Sequence, residues 1–271
     1  MKLKSEYIVL SIATICMIVF SVSVLKANNE AIHVTSQSVN ASLSNTKIGW
    51  GIKRAQNHEQ PDLGAKNKEL IEKYNGIAMG NSNSKNVYLT FDNGYEAGYT
   101  AKILDVLKEN NVKATFFITA HYVNTAPELV QRMVDEGHII GNHTVNHYSM
   151  PDIDDNKIRE EVMNLHTAIY EKTGYEMKYI RPPMGEFSEK SITVTNSLGY
   201  KTVMWSFAYE DWNENKQPEE SVAKKKIIDN VHNGEIMLLH GNSTTNTNIL
   251  GDIIKEIKNM GYEFKSLDEF K

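Results

Sequence analysis

From residue 86 onward the apolar positions alternate between two periods. Short runs at Val87–Phe91, Ala114–Ile118, His138–Gly141, Tyr179–Arg181, Thr202–Phe207, Glu235–Leu239 and Tyr262–Lys265 read as strands. Between them the apolar residues recur every three to four positions. Tyr99–Glu109 carries Ile103, Leu104 and Leu107 at helical spacing. Ala126–Glu136 has Pro127 in its first turn and Gly137 as its stop. Asp154–Thr173 has a stripe of Ile158, Val162, Leu165 and Ile169 and ends at Gly174. Glu189–Leu198, Glu219–His232 and Ile249–Met260 complete the predicted helices. This alternation predicts an α/β protein with a parallel sheet and helices outside, either a distorted (β/α) barrel or a doubly wound sheet.

Upstream the pattern changes. Two lysines within Met1–Lys4 precede Tyr7–Leu25, a run of 19 uncharged residues, long enough to span a bilayer once and laid out like an export signal. Residues 1–27 are therefore expected to be a signal peptide or membrane anchor, with Lys2 and Lys4 inside and the remainder exported. Residues 28–46 read as a polar spacer, 47–85 as an irregular lead-in packed on the barrel with a short helix at Asn67–Tyr74, and 86–271 as the catalytic domain. Cys16, the one cysteine, excludes an intrachain disulfide and a Cys-based zinc cluster. The net charge of −5 comes without a basic block, which argues against nucleic-acid binding. The chain is expected to act as a monomer.

The chemically capable residues fall at the ends of the predicted strands. Asp92 and Asn93 follow the first, His143 and His147 the third, Arg181 the fourth, Asp211 the fifth and His240 the sixth. In a parallel barrel those ends share one face, where active sites are built. Each feature has a plainer reading alone. Asn93-Gly94 is a turn dipeptide, His143 and His147 could be a surface pair, Arg181-Pro182-Pro183 a stiffened loop, and His240 a satisfied core histidine. Their joint placement on one face is what argues for chemistry.

In order, Thr90-Phe91-Asp92-Asn93, the two histidines His143 and His147, Arg181-Pro182-Pro183-Met184-Gly185, Asp211-Trp212 and Leu238-Leu239-His240 resemble the five motifs of the polysaccharide deacetylases, carbohydrate esterase family four. The resemblance runs from Lys47 to the C-terminus. It implies a distorted (β/α)7 barrel and metal-assisted removal of acetyl groups from N-acetyl sugars. Trp50-Gly51, Tyr88–Glu96 and the Arg181 motif look most like the spore-cortex subgroup, which deacetylates muramic acid on the way to muramic δ-lactam. The roles implied are Asp92 as general base, Arg181 as its partner, His240 as general acid and Asp211 as the residue raising its basicity. His143, His147 and Asn93 would hold a divalent metal, zinc first, with magnesium, manganese or cobalt as alternatives. Asn93 stands where most members carry a second aspartate, so the metal is expected to bind weakly. Tyr95, Trp212 and Phe187 are expected to stack on sugars, and the backbone N–H just after Pro183 to complete an oxyanion hole. The partner is a peptidoglycan strand outside the cytoplasmic membrane. Alternatives are a deacetylase of N-acetylglucosamine in peptidoglycan or chitin-like oligomers, a non-catalytic cell-wall sugar-binding protein, and a glycosidase using carboxylates such as Glu96, Glu186 and Glu210.

Overall fold

The computed structural model describes residues 43–270, and Asn45–Lys271 forms a compact unit of its own. The expected export segment, and the spacer up to residue 42, lie outside the described residues. No helix among the described residues is long and apolar enough to cross a membrane.

Seven parallel strands make one curled sheet, a half-barrel. They are β2 (Asn86–Asn93), β3 (Thr115–Ile118), β4 (Ile139–Asn142), β5 (Tyr179–Ile180), β7 (Lys201–Thr202), β8 (Glu235–His240) and β9 (Glu263–Phe264), and the order is β7-β5-β4-β3-β2-β8, with β9 on the lower part of β2. The helices outside are α2 (Thr100–Glu109), α3 (Ala120–Thr125), α4 (Pro127–Asp135), α5 (Asp155–Thr173), α6 (Glu189–Ser197), α7 (Glu220–Asn230) and α8 (Thr244–Asn259). β2 is buried from Val87 to Asn93, as a central parallel strand covered on both faces must be.

The alternation of side chains along each strand sorts the core in two. Val87, Leu89, Phe91, Ile140, Ile180, Met237 and Leu239 turn outward under the helices, in the larger cluster. Tyr88, Phe117, Ile139, Tyr179 and Ile236 fill the inside of the curl. The same parity carries Asp92, His143, Arg181 and His240 to the inner face at the top of their strands. Gly141 is needed there: a Cβ at this position would run into the Phe117 ring.

Three elements differ from the sequence expectation. The run Thr202–Phe207 is a strand only at Lys201–Thr202. Ile77 inserts beside Thr202 and Met204 by backbone hydrogen bonds, and Phe207 then bridges to Met237 of β8. α8 begins at Thr244, five residues before Ile249, because Ser243 caps it through the Asn246 N–H. The helix α3, six residues long, is too short to show a helical period in the sequence. Before the sheet, β1 (Ile48–Gly49) pairs antiparallel with β6 (Glu186–Phe187), and α1 spans Ala65–Lys73. Trp50, Leu63, Ile71 and Ala78 pack with Phe187, Ile192 and Met204 in a third cluster.

Candidate active site

Asp92 lies at the end of β2, 8% exposed. Its Oδ1 accepts a 2.8 Å hydrogen bond from Arg181 Nη1, and its Oδ2 stands 3.6 Å from His143 Nε2. Burial by itself pushes the carboxyl up, but the Arg181 guanidinium, then His143 and His240, outweigh it and hold Asp92 below its ordinary range. Arg181 is fully buried. Its guanidinium lies 4.2 Å from the Phe117 ring centroid and also donates to Val203 O and Met204 O. The side chain is thus fixed on every side, and Asp92 is fixed with it. β5 ends just before Arg181 because Pro182 and Pro183 offer no N–H to a sheet. Met184 (φ 58°) and Gly185 (φ 66°) then turn the chain through the left-handed region.

His143 follows β4. Its Nδ1 lies 2.9 Å from the Arg181 carbonyl oxygen and so carries the proton, leaving Nε2 as an acceptor. His147 Nε2 sits 3.2 Å from His143 Nε2. Two imidazoles bound tetrahedrally to one zinc at about 2.0–2.1 Å bring their nitrogens to about 3.3 Å, so the pair is spaced for a shared ion. Burial pushes His143 down to about 4 and lowers His147 as well, with Asp92 pulling each the other way. Neutral imidazoles are what a metal requires. The intervening loop is strained, with Thr144 and His147 both at positive φ. Buried Glu161 of α5 holds it in that shape, accepting 2.7 Å and 2.6 Å hydrogen bonds from the backbone and side-chain nitrogens of Asn146.

Asn93 does not join the imidazoles. As the neighbour of Asp92 on a strand it takes the opposite face. Its Nδ2 donates to Thr100 Oγ1 at 3.3 Å, and its Oδ1 is buried without a hydrogen-bond partner. The amide lies so close to Gly241 that a Cβ there would come within 2.6 Å of Oδ1. No group of three His, Cys, Asp or Glu side chains among the described residues is arranged to hold a metal. The donors that fit an ion are the imidazole pair; the unpartnered Asn93 oxygen would have to turn away from Thr100 to join them.

His240 ends β8. Asp211, fully buried, accepts from its Nδ1 at 2.6 Å and from its backbone N–H at 2.9 Å; Asn246 donates to the same carboxylate at 2.6 Å. Burial lowers the His240 imidazole, but Asp211 and then Asp92 raise it further, so it stays protonated above its ordinary range.

These groups open into a cleft of about 870 Å³. Tyr95, Met184 and Trp212 flank it, all well exposed. Asn242 donates to both Tyr95 Oη (2.8 Å) and Trp212 O (3.0 Å), tying the two aromatic loops together. Pro183 is buried and does not line the cleft; Met184 and Gly185 do. Phe187, expected to stack on sugar, is a core residue packed by Trp50 at 6.3 Å between ring centroids. None of Glu96, Glu186 and Glu210 lines the cleft. Glu96 bonds Tyr122 Oη and the Gly98 N–H, and Glu186 pairs with Lys47. Glu161, Asn242 and Asn246 had no signal in the sequence, since each acts on a residue made adjacent by the fold or by a loop's shape.

A carboxylate whose titration is lowered, an imidazole pair and a second imidazole whose titration is raised meet at the strand ends, the parts that a hydrolase working by acid–base catalysis needs. Residues 79–203 match the family model described as polysaccharide deacetylase, and the chain belongs to that family. It is 45% identical over 229 residues to the peptidoglycan-N-acetylmuramic acid deacetylase PdaA of Bacillus subtilis, covering 84% of this chain and 87% of that one. The solved structure of Bacillus subtilis PdaA, a family 4 carbohydrate esterase, superposes with a TM-score of 0.82 over 84% of this chain and 98% of that one, and a family 4 carbohydrate esterase from Bacillus anthracis, 43% identical, with 0.72 over the same shares. A peptidoglycan-N-acetylglucosamine deacetylase of Bacillus cereus is 33% identical over 73% of this chain and 72% of that one.

Proposed function

We propose that this protein hydrolyses the N-acetyl group of N-acetylmuramic acid in peptidoglycan, on the way to muramic δ-lactam. The observation that carries the reading is that Asp92, bonded to Arg181, and His240, bonded to Asp211, line one cleft on a chain so similar to the muramic acid deacetylase. The similarity to glucosamine deacetylases keeps N-acetylglucosamine as the second substrate. An amide is a poor electrophile with a poor leaving group, so its hydrolysis needs a base for water, a place for the oxyanion and an acid for the nitrogen. Asp92 takes the proton from the attacking water, and Arg181 keeps that carboxylate ionised and aimed. The Met184 N–H is offered to the oxyanion. His240 gives the Nε2 proton to the departing amine while Asp211 holds Nδ1–H. A divalent ion, zinc by preference, on His143 and His147 would polarise the carbonyl and acidify the water. The bridge from Phe207 to Met237 supports reading the curl as a distorted (β/α)7 barrel. Residues 47–85 are taken as a lead-in packed on the catalytic part 86–271, and the N-terminal segment as the export signal or anchor, which puts the enzyme outside the cytoplasmic membrane.

The test is mass spectrometry of peptidoglycan fragments before and after treatment. Loss of one acetyl from muramic acid, with or without loss of water, is the expected result. Loss from glucosamine alone replaces the substrate, and new reducing ends without acetate replace the reaction class.

A further inference from the structure

Four histidines line the cleft: His121, His143, His147 and His240. Three are occupied, two with each other and one with Asp211. The exposed His121 imidazole makes no hydrogen bond or ion pair among the described residues, and no lysine or arginine lines the cleft beside it. Its place is fixed all the same. The Thr119 N–H bonds the Asn93 carbonyl at the end of the strand that carries Asp92, and Thr119 Oγ1 donates to Gly94 O at 2.6 Å. The Ala120 N–H bonds the Thr144 carbonyl inside the loop that carries the imidazole pair. The first turn of α3 is therefore stitched to both halves of the catalytic centre one and two residues before His121.

N-acetylmuramic acid differs from N-acetylglucosamine by a lactyl ether at the carbon next to the acetamido carbon. Once the acetamide is seated over Asp92 and the imidazoles, the lactyl carboxylate must meet the cleft wall close by. An imidazole donates N–H in either protonation state, and a carboxylate is its natural acceptor. We infer that His121 is the specificity residue that binds the free lactyl carboxylate of muramic acid. This rests on the muramic reading above. A lactyl group still carrying its peptide offers an amide there and loses the charge-assisted bond.

The experiment compares three glycan oligomers: muramic residues with free lactyl carboxylates, the same glycan with its peptides attached, and an N-acetylglucosamine oligomer. Wild type, His121→Ala and His121→Arg are assayed for acetate release. His121→Ala is expected to raise KM for the free-lactyl glycan on the order of tenfold more than for the other two, with kcat little moved, since a hydrogen bond to a charged group is worth roughly that factor. His121→Arg should restore most of the difference. Equal KM changes on all three glycans, or a change confined to the peptide-bearing one, would overturn the inference. If wild type removes no acetyl from any muramic residue, the muramic reading itself fails and the inference falls with it; that outcome is read on wild type alone and is not confused with the others.

Discussion

The Asp211–His240 pair makes the sharpest claim on the mechanism. Asp211→Asn keeps size and shape but removes the charge beside the general acid. In the structure the carboxylate takes three donors: His240 Nδ1 at 2.6 Å, its backbone N–H at 2.9 Å and Asn246 Nδ2 at 2.6 Å. An opposite charge at such range moves a titration by about 1–3 units, or about 1.4–4 kcal/mol at 1.36 kcal/mol per unit. Burial, which lowers the imidazole, is then opposed by the more distant Asp92 alone. The sign is fixed by the role. In the proposed mechanism His240 works as an acid, so the alkaline limb of the rate profile marks loss of its proton, and that limb should move to lower pH by about 1–3 units. Above both values the variant should be slower by about 10–10³-fold. A carboxamide that donates to Nδ1 also opposes the doubly protonated imidazolium, in which both ring nitrogens must donate, and this lowers the titration further. Stability follows the same linkage. A raised imidazole stabilises the fold fully below its unfolded value and ceases to as pH climbs through the folded one, so the stability gap between wild type and variant should narrow under alkaline conditions. The assay is acetate release across the pH range, beside thermal unfolding to confirm the fold. An alkaline limb that stays in place would refute His240 as the acid that Asp211 tunes.

Three other outcomes are expected. Asp92→Asn should fold and lose about 10²–10⁴ in kcat, and steady-state acetate release within a few-fold of wild type would reject it as the base. Arg181→Ala should cost about 3–5 kcal/mol in urea unfolding, because it strands a buried carboxylate, whereas Arg181→Met combined with Asp92→Asn should recover most of that stability and none of the activity. Chelation should reduce activity and added zinc restore it, and Asn93→Asp should bind zinc more tightly by calorimetry; equal affinities would mean that residue 93 stays turned toward Thr100 when the ion binds.

Much was open to reading along the chain. The alternation of short apolar runs with 3.6-period segments sets the α/β class, because burial forces each element to show its own period. The placing of Asp92, Arg181 and His240 at strand ends follows from that alone, since parallel strands share one upper face. What the chain does not display is which way a doubly buried strand turns its residues. β2 is apolar or buried on both sides, so nothing in Phe91-Asp92-Asn93 says that Asp92 faces the cleft and Asn93 faces Thr100. The curl of the sheet decides it. The same is true of Phe187, a plausible sugar platform until β1 and Trp50 cover it, and of Thr202–Phe207, which has the composition of a strand but loses its partners where Ile77 inserts. The supports of the site are likewise tertiary. Glu161 reaches Asn146, Asn242 ties Tyr95 to Trp212, and Asn246 steadies Asp211 across distances that sequence spacing does not encode, because a hydrogen bond needs its two atoms within about 3 Å and only the folded chain brings them there.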